Sequence, residues 1–203
     1  MKLYTGVTVA AVAVLLGWTG YTIFAASGDD PFAECRGGAV GGGDIGGPFT
    51  LVDQSGATVT DKEVLSKPAL IYFGYTFCPD VCPLDNARNA EAVDLLAAKG
   101  LEVTPVFITI DPARDTPDVM DEYAEAMHPG MIALTGTEDQ VKAASRAYKT
   151  IYRKQDSADE YYLVDHSTFT YLMLPKFGFA DFFGREVAAA EMADRVGCFL
   201  KAT

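Results

Sequence analysis

The chain has 203 residues, 49% of them hydrophobic, and a formal net charge of −12. That length holds one domain of average size plus an appendage, with enough apolar residues for a packed core. The acidic balance, with no basic stripe anywhere along the chain, excludes a nucleic-acid backbone as partner; solubility accounts for most of it, with steering of a cation or of a basic partner as the functional alternative.

Thr5 to Ala26 carries no charged residue over 22 positions. As a helix it spans about 33 Å, enough to cross a hydrocarbon core of about 30 Å. Residues 1–26 are therefore expected to form a single-pass membrane anchor. Ala25-Ala26-Ser27 also reads as a signal-peptide cleavage site, but signal cores run only about 7–15 apolar residues, so an uncleaved anchor is preferred. Lys2 precedes the span and Asp29 and Asp30 follow it, which sets the rest of the chain outside the cytoplasm. No Arg-rich, acid-poor presequence is present, which favours a bacterial inner membrane and the periplasm over a mitochondrial precursor.

Residues 27–48 contain seven glycines between Gly37 and Gly47 and are expected to be a flexible tether. Cys35 lies within it. A domain over 49–203 follows. Phe49 to Val52 reads as a short strand, Gln54-Ser55-Gly56 as a turn, and Thr60 to Glu63 as a helical or extended connection. Pro68 to Phe77 reads as a buried strand, and Pro83 with Leu84 to Lys99 as a helix that Gly100 stops. Leu101 to Ile110 is the next buried strand. Thr116 caps a helix that has Pro117 in its first turn and Val119, Tyr123 and Met127 at helical spacing. Met131 to Leu134 reads as strand, and Thr137 with Gln140 opens a helix in a capping box, with Val141, Ala144 and Tyr148 on one face. Tyr161 to Val164 and Ser167 to Leu174 read as strand with a break at Asp165-His166. Phe177 to Phe183 continues as strand, and Glu186 to Leu200 closes the chain as a helix with Ala189, Met192, Val196 and Phe199 on one face. Strands that alternate with helices, then an adjacent strand pair and a last helix, predict a mixed α/β sheet flanked by helices on both faces.

The chemistry gathers at one corner. Gly74-Tyr75-Thr76-Phe77-Cys78-Pro79-Asp80-Val81-Cys82-Pro83 delivers two cysteines, separated by three residues, where a strand gives way to a helix. A helix that starts near Cys82 favours thiolate over thiol through its unpaired N–H groups and dipole. Two such sulfurs converge on one soft cation, or they close a small disulfide ring. Two inert core cysteines are the blander reading; the flanking prolines and Asp80 argue for a turn instead.

Those ten residues resemble the signature of the Sco/SenC family, copper-binding proteins of thioredoxin-like fold that serve assembly of cytochrome c oxidase. The order of strands and helices is similar to that fold. Val164-Asp165-His166-Ser167-Thr168 resembles the family's second motif, and the resemblance implies Cys78, Cys82 and His166 as the copper ligands. Two thiolates and an imidazole suit Cu(I), and with a further oxygen donor they suit Cu(II); zinc would want a fourth strong ligand. Asp165 is expected to orient the imidazole, to lend that fourth contact, or to serve at the surface or as a cap. Ile108-Thr109-Ile110-Asp111-Pro112-Ala113-Arg114-Asp115-Thr116-Pro117 is a third resembling stretch, read as the loop beside the site, with Asp111, Arg114 and Asp115 pairing or capping and surface contact with a partner as the alternative. The chain departs from the family pattern after Tyr171, where Leu172-Met173-Leu174-Pro175-Lys176-Phe177-Gly178 stands in place of an Asp-Pro and Gly turn. The resemblance covers Phe49 to Phe199.

Tyr75 and Phe77 are expected to wall the site. His128, in Met127-His128-Pro129-Gly130, reads as a solvated residue, and Met120, Met127, Met131 and Met173 mostly as core, without a methionine-rich copper box. Cys35 and Cys198 remain, and in an oxidising compartment they are expected to form a disulfide that staples the tether to the domain.

The resulting expectation is a membrane-tethered copper metallochaperone, not an enzyme, that delivers copper to the dinuclear copper centre of cytochrome c oxidase. Its partners would be the oxidase's copper-bearing subunit and other periplasmic copper chaperones or thioredoxin-like reductants. A thiol–disulfide oxidoreductase acting through Cys78 and Cys82 on the oxidase copper subunit, or a redox or copper sensor, is the alternative.

Overall fold

The structure is a computed structural model that describes residues 17–18, 31–36, 44–157 and 161–203. The chain forms two compact units, Met1–Glu34 and Cys35–Thr203. Among the described residues no helix is long and apolar enough to cross a membrane; the expected anchor, residues 1–26, lies outside them apart from Gly17 and Trp18.

The second unit is built on a seven-stranded mixed sheet. Its strands are β1 (Thr50–Asp53), β2 (Thr58–Thr60), β3 (Ala69–Gly74), β4 (Thr104–Thr109), β5 (Ile132–Thr135), β8 (Thr170–Leu174) and β9 (Gly178–Phe183), in the order β2-β1-β5-β4-β3-β8-β9. The three middle strands β5, β4 and β3 run parallel. The outer pairings, β1 with β2 and β5, β8 with β3, and β9 with β8, are antiparallel. All six residues of β3 are buried, as a strand covered on both faces requires. Leu70, Ile71, Tyr72 and Phe73 thus alternate into two separate layers of core.

The helices are α1 (Asp61–Val64), α2 (Val81–Ala97), α3 (Pro117–Met127), α4 (Glu138–Ala147) and α5 (Ala189–Lys201). Helix α2 packs on α5, and α3 and α4 pack on β1. The start signals read from the sequence hold. Thr137 and Gln140 form a reciprocal capping box that satisfies N–H groups a first turn leaves unpaired, and Pro117 opens α3 just after Thr116, whose side chain makes no cap bond; Thr60 with Glu63 makes a further capping box that the sequence reading did not name. On α5 the expected face of Ala189, Met192, Val196 and Phe199 is buried. Met120, Met131 and Met173 are core residues as well.

Two departures concern residues 150–170. Tyr152–Lys154 forms a strand, β6, that the sequence reading left out, paired antiparallel with β7 (Val164–His166) in a separate two-stranded sheet. Asp165 and His166 lie inside β7, where a break was expected; the interruption falls instead at 167–169. The reason is tertiary: Arg153 and Tyr152 stand opposite Asp165 and His166, so backbone pairing on one short ribbon overrides a polar pair that reads as a turn. His128 is the C-cap of α3. It is not solvated as expected, since its side chain is only 14% exposed, with Nε2 3.3 Å from Asp94 Oδ1.

Cys35 and Cys198 are joined by a disulfide, with their Cα atoms 5.5 Å apart. The segment expected to be tether is thus tied to α5 at Cys35, and Gly46 N–H donates to the Ala147 carbonyl further along.

Candidate metal centre

The parallel strands β3 and β4 end side by side, Gly74 beside Thr109, and the loop after β3, the first turn of α2 and β7 supply the candidate ligands. The Cys78 and Cys82 sulfurs and a ring nitrogen of His166 all lie within 4.8 Å of one another. Among the described residues this is the one such cluster of His, Cys and acidic side chains. Both cysteines are free and buried, and His166 is half-buried.

Helix α2 begins at Val81, so Cys82 sits in its first turn and Cys78 just ahead of it. The backbone N–H of Cys82 points at the Cys78 sulfur, 3.4 Å away. Asp80, the N-cap residue, makes no side-chain cap bond; the sulfur of Cys78 takes that place. Hydrogen bonds from the Cys82 thiol and from the backbone N–H groups of Asp80 and Cys82 outweigh burial and hold the Cys78 thiol far below its ordinary value. Cys82 is pushed in the opposite direction, first by its hydrogen bond to Cys78 and then by burial. The metal-free pair is therefore one thiolate accepting from one thiol.

The histidine is fixed by its own strand end. Nδ1 lies 2.8 Å from the Ser167 carbonyl oxygen. A carbonyl only accepts, so Nδ1 carries the proton and Nε2 presents its lone pair, 3.3 Å from Cys82 Sγ. That is the tautomer a metal ligand needs. Tyr75 and Tyr72 set their rings edge-on to the imidazole, at centroid distances of 5.9 and 6.2 Å. Tyr75 thus walls the site as expected, whereas Phe77 is 50% exposed at its rim.

Asp165 does not orient the imidazole. Its carboxylate faces away, accepting from Gln155 Nε2 at 2.6 Å and pairing with Arg153 at 3.3 Å. Alternation along β7 explains this, because neighbours on a strand point to opposite sides. The 108–117 stretch packs beside the site and pairs internally, as expected. Asp111 binds Arg114 Nε, and Asp115 accepts from Thr76 and Thr109.

Four contributors were invisible in the sequence. Tyr72, under the site, donates to the buried carboxylate of Asp85 at 2.9 Å, and Arg185 closes on the other oxygen at 3.2 Å. Tyr162 joins the loop before β7 to Asp111. Only the Tyr-Tyr run and an acid one helical turn after Cys82 could have hinted at them.

The family model described as SCO1/SenC matches residues 38–201. The chain belongs to the SCO1/SenC family. It is 53% identical over 194 residues to protein SenC of Rhodobacter capsulatus, covering 95% of this chain and 88% of that protein. Among solved Sco structures it is similar to Arabidopsis thaliana ScoI with copper bound, with a TM-score of 0.74 at 39% identity, covering 78% of this chain and 99% of that one. It is equally similar to yeast Sco1 with copper bound, with a TM-score of 0.74 at 39% identity and coverage of 79% and 91%. The thioredoxin-like mixed sheet flanked by helices is thus the Sco fold. The donor set of this Sco chain fits copper: two convergent sulfurs, one already thiolate, and an imidazole nitrogen with its lone pair turned inward make a soft site.

Proposed function

We propose that this chain is a membrane-anchored copper metallochaperone of the bacterial periplasm that holds copper on Cys78, Cys82 and His166 and hands it to the dinuclear copper centre of cytochrome c oxidase. The convergence of those three donor atoms within 4.8 Å carries the reading, supported by copper-bound relatives of the same fold. Copper is the cargo. The buried thiolate–thiol–imidazole set takes Cu(I) as a soft three-coordinate ion, and Cu(II) with an added oxygen donor. The anchor proposal rests on the charge-free span at 5–26, and the Cys35–Cys198 bridge supports an oxidising compartment. The oxidase's copper-bearing subunit is the proposed acceptor, with other periplasmic copper chaperones or thioredoxin-like reductants as further partners.

One observation favours a second reading. A thiolate at a helix N-terminus next to a thiol is also what dithiol exchange uses, so reduction of cysteines in the oxidase copper subunit is the competing role. Exchange does not require His166. Cu(I) competition against a chelator on the reduced full chain in detergent separates the two. The chaperone reading expects one tight equivalent, weakened by more than about tenfold, roughly 1.4 kcal/mol, in both Cys78→Ser and His166→Ala. Weak binding indifferent to His166, with dithiol exchange intact, would overturn it.

A further inference from the structure

The ligands of the proposed copper site come from two separately built parts of the fold. Cys78 and Cys82 stand at the end of β3 and the start of α2, in the main sheet, whereas His166 rides on the β6–β7 ribbon, a sheet of its own. Something must hold ribbon and main sheet in register to within a fraction of an ångström for the imidazole to meet the sulfurs.

Arg114 is placed to do so. Its side chain is only 16% exposed and pairs through Nε with Asp111, itself 7% exposed. Its NH1 donates to the carbonyl of Tyr162 at 3.1 Å, just before β7. The guanidinium lies over three rings: Tyr162 at 3.7 Å, Phe77 at 4.9 Å and Tyr75 at 5.6 Å. Tyr162 belongs to the His166 arm, and Tyr75 and Phe77 to the loop that delivers Cys78. The opposite partners close the ring of contacts. Tyr162 hydroxyl donates to Asp111 Oδ1 at 2.7 Å, Lys154 of β6 covers Tyr162 at 3.4 Å from its centroid, and Tyr75 hydroxyl accepts from Val164 N–H at 3.3 Å.

We propose that Arg114 is the positioning residue of the copper site, clamping the His166 arm to the Cys78 loop through Tyr162, Tyr75 and Phe77. A buried ion pair is weak evidence for stability, because desolvation offsets most of the attraction. What Arg114 and Asp111 supply that apolar side chains would not is direction: a fork of donors and a carboxylate that fit one register of the arm. Losing the clamp should be felt first by the ligand on the separate sheet. The site falls back toward the two sulfurs, which α2 and β3 hold without help from the ribbon.

The inference rests on the three-ligand copper reading, and a double-mutant cycle on the full reduced chain in detergent tests both. Arg114→Met keeps the length of the side chain and discards the fork; it is expected to weaken Cu(I) about tenfold, the scale typical of a lost orienting partner. In a His166→Ala background the same substitution is expected to change nothing. In the Cu(II) form of Arg114→Met, the imidazole nitrogen coupling in the electron paramagnetic resonance spectrum should weaken, a signature that loosened packing elsewhere does not produce. An equal loss in both backgrounds, or no loss in either, overturns the clamp. If His166→Ala itself leaves affinity untouched, the copper reading fails first and is identified as the failure. Should Arg114→Met not fold, Tyr162→Phe repeats the cycle by removing only the hydroxyl bound to Asp111. A His166-dependent loss of affinity there upholds the clamp, and unchanged affinity overturns it.

Discussion

A methyl group on Gly74 would stand 2.9 Å from the sulfur of Cys82, and equally close to the rings of Phe107 and Tyr72. The last residue of β3 is therefore the floor of the Cys78, Cys82 and His166 cluster, and only a residue without a side chain lets the sulfur settle there. Gly74→Ala is expected to push Cys82 Sγ away from His166, costing about 1–3 kcal/mol of overpacking and weakening Cu(I) binding. Chelator competition and urea unfolding on the same variant check both. Unchanged copper affinity would mean that the sulfur is not held by this contact.

The thiolate character of Cys78 should be visible directly. In the reduced, metal-free chain, thiolate absorbance near 240 nm is expected to persist at pH 6, well below the ordinary thiol value of about 8.5, and to vanish in Cys78→Ser. Because the folded-state value is depressed, the stabilisation it brings is complete above the unfolded value and is lost as pH falls through the folded one. The stability difference between the parent and Cys78→Ser should accordingly grow between pH 6 and 9. A conventional titration near pH 8.5 would contradict the hydrogen-bonded pair.

Breaking the Cys35–Cys198 bridge with a double Ser substitution is expected to cost about 2–5 kcal/mol, read as a lower urea midpoint. The sequence separation of 163 residues makes it a staple over nearly the whole domain. Copper stoichiometry should stay at one per chain, since the disulfide already engages both of these sulfurs and Cys78 and Cys82 are the free pair. Loss of copper binding would show that the staple shapes the site.

Asp115 is fully buried and accepts from Thr76 N–H, Thr76 hydroxyl and Thr109 hydroxyl. Asp115→Ala strands these donors and should destabilise by about 1–3 kcal/mol, loosening the Cys78 loop at Thr76. Burial raises its pKa above the usual carboxylate value despite these bonds. A folded-state value above the unfolded one means the native state binds the extra proton, so its contribution improves as pH falls toward the unfolded value of about 3.9. The parent should therefore gain on Asp115→Asn as the pH is lowered from 7 to 4; a difference that does not move with pH would refute the burial argument.

The linear order of elements was readable wherever a local signal coincided with the fold. The capping box at Thr137, the Pro117 helix start, the apolar run of β3 and the helical face of α5 are all patterns over four to fifteen neighbouring residues, and local hydrogen bonding and periodic burial enforce them. The cysteine pair was readable for the same reason, because strand, turn and helix start are contiguous. His166 was named through the family motif around it, since one histidine far along the chain carries no local mark of what it faces.

What the sequence by itself determined was the donor set and the sheet that carries it: two sulfurs at a strand-to-helix corner, an imidazole, and apolar strands long enough to be covered on both sides. Tertiary structure alone decided how those donors are held. The β6–β7 ribbon, the turning of Asp165 away from the ring, and the meeting of Arg114 with Tyr75, Phe77 and Tyr162 all join residues 12 to 48 positions apart or depend on which side of a strand faces inward. Register and long-range contact set these, and neither is a property of any short window of sequence.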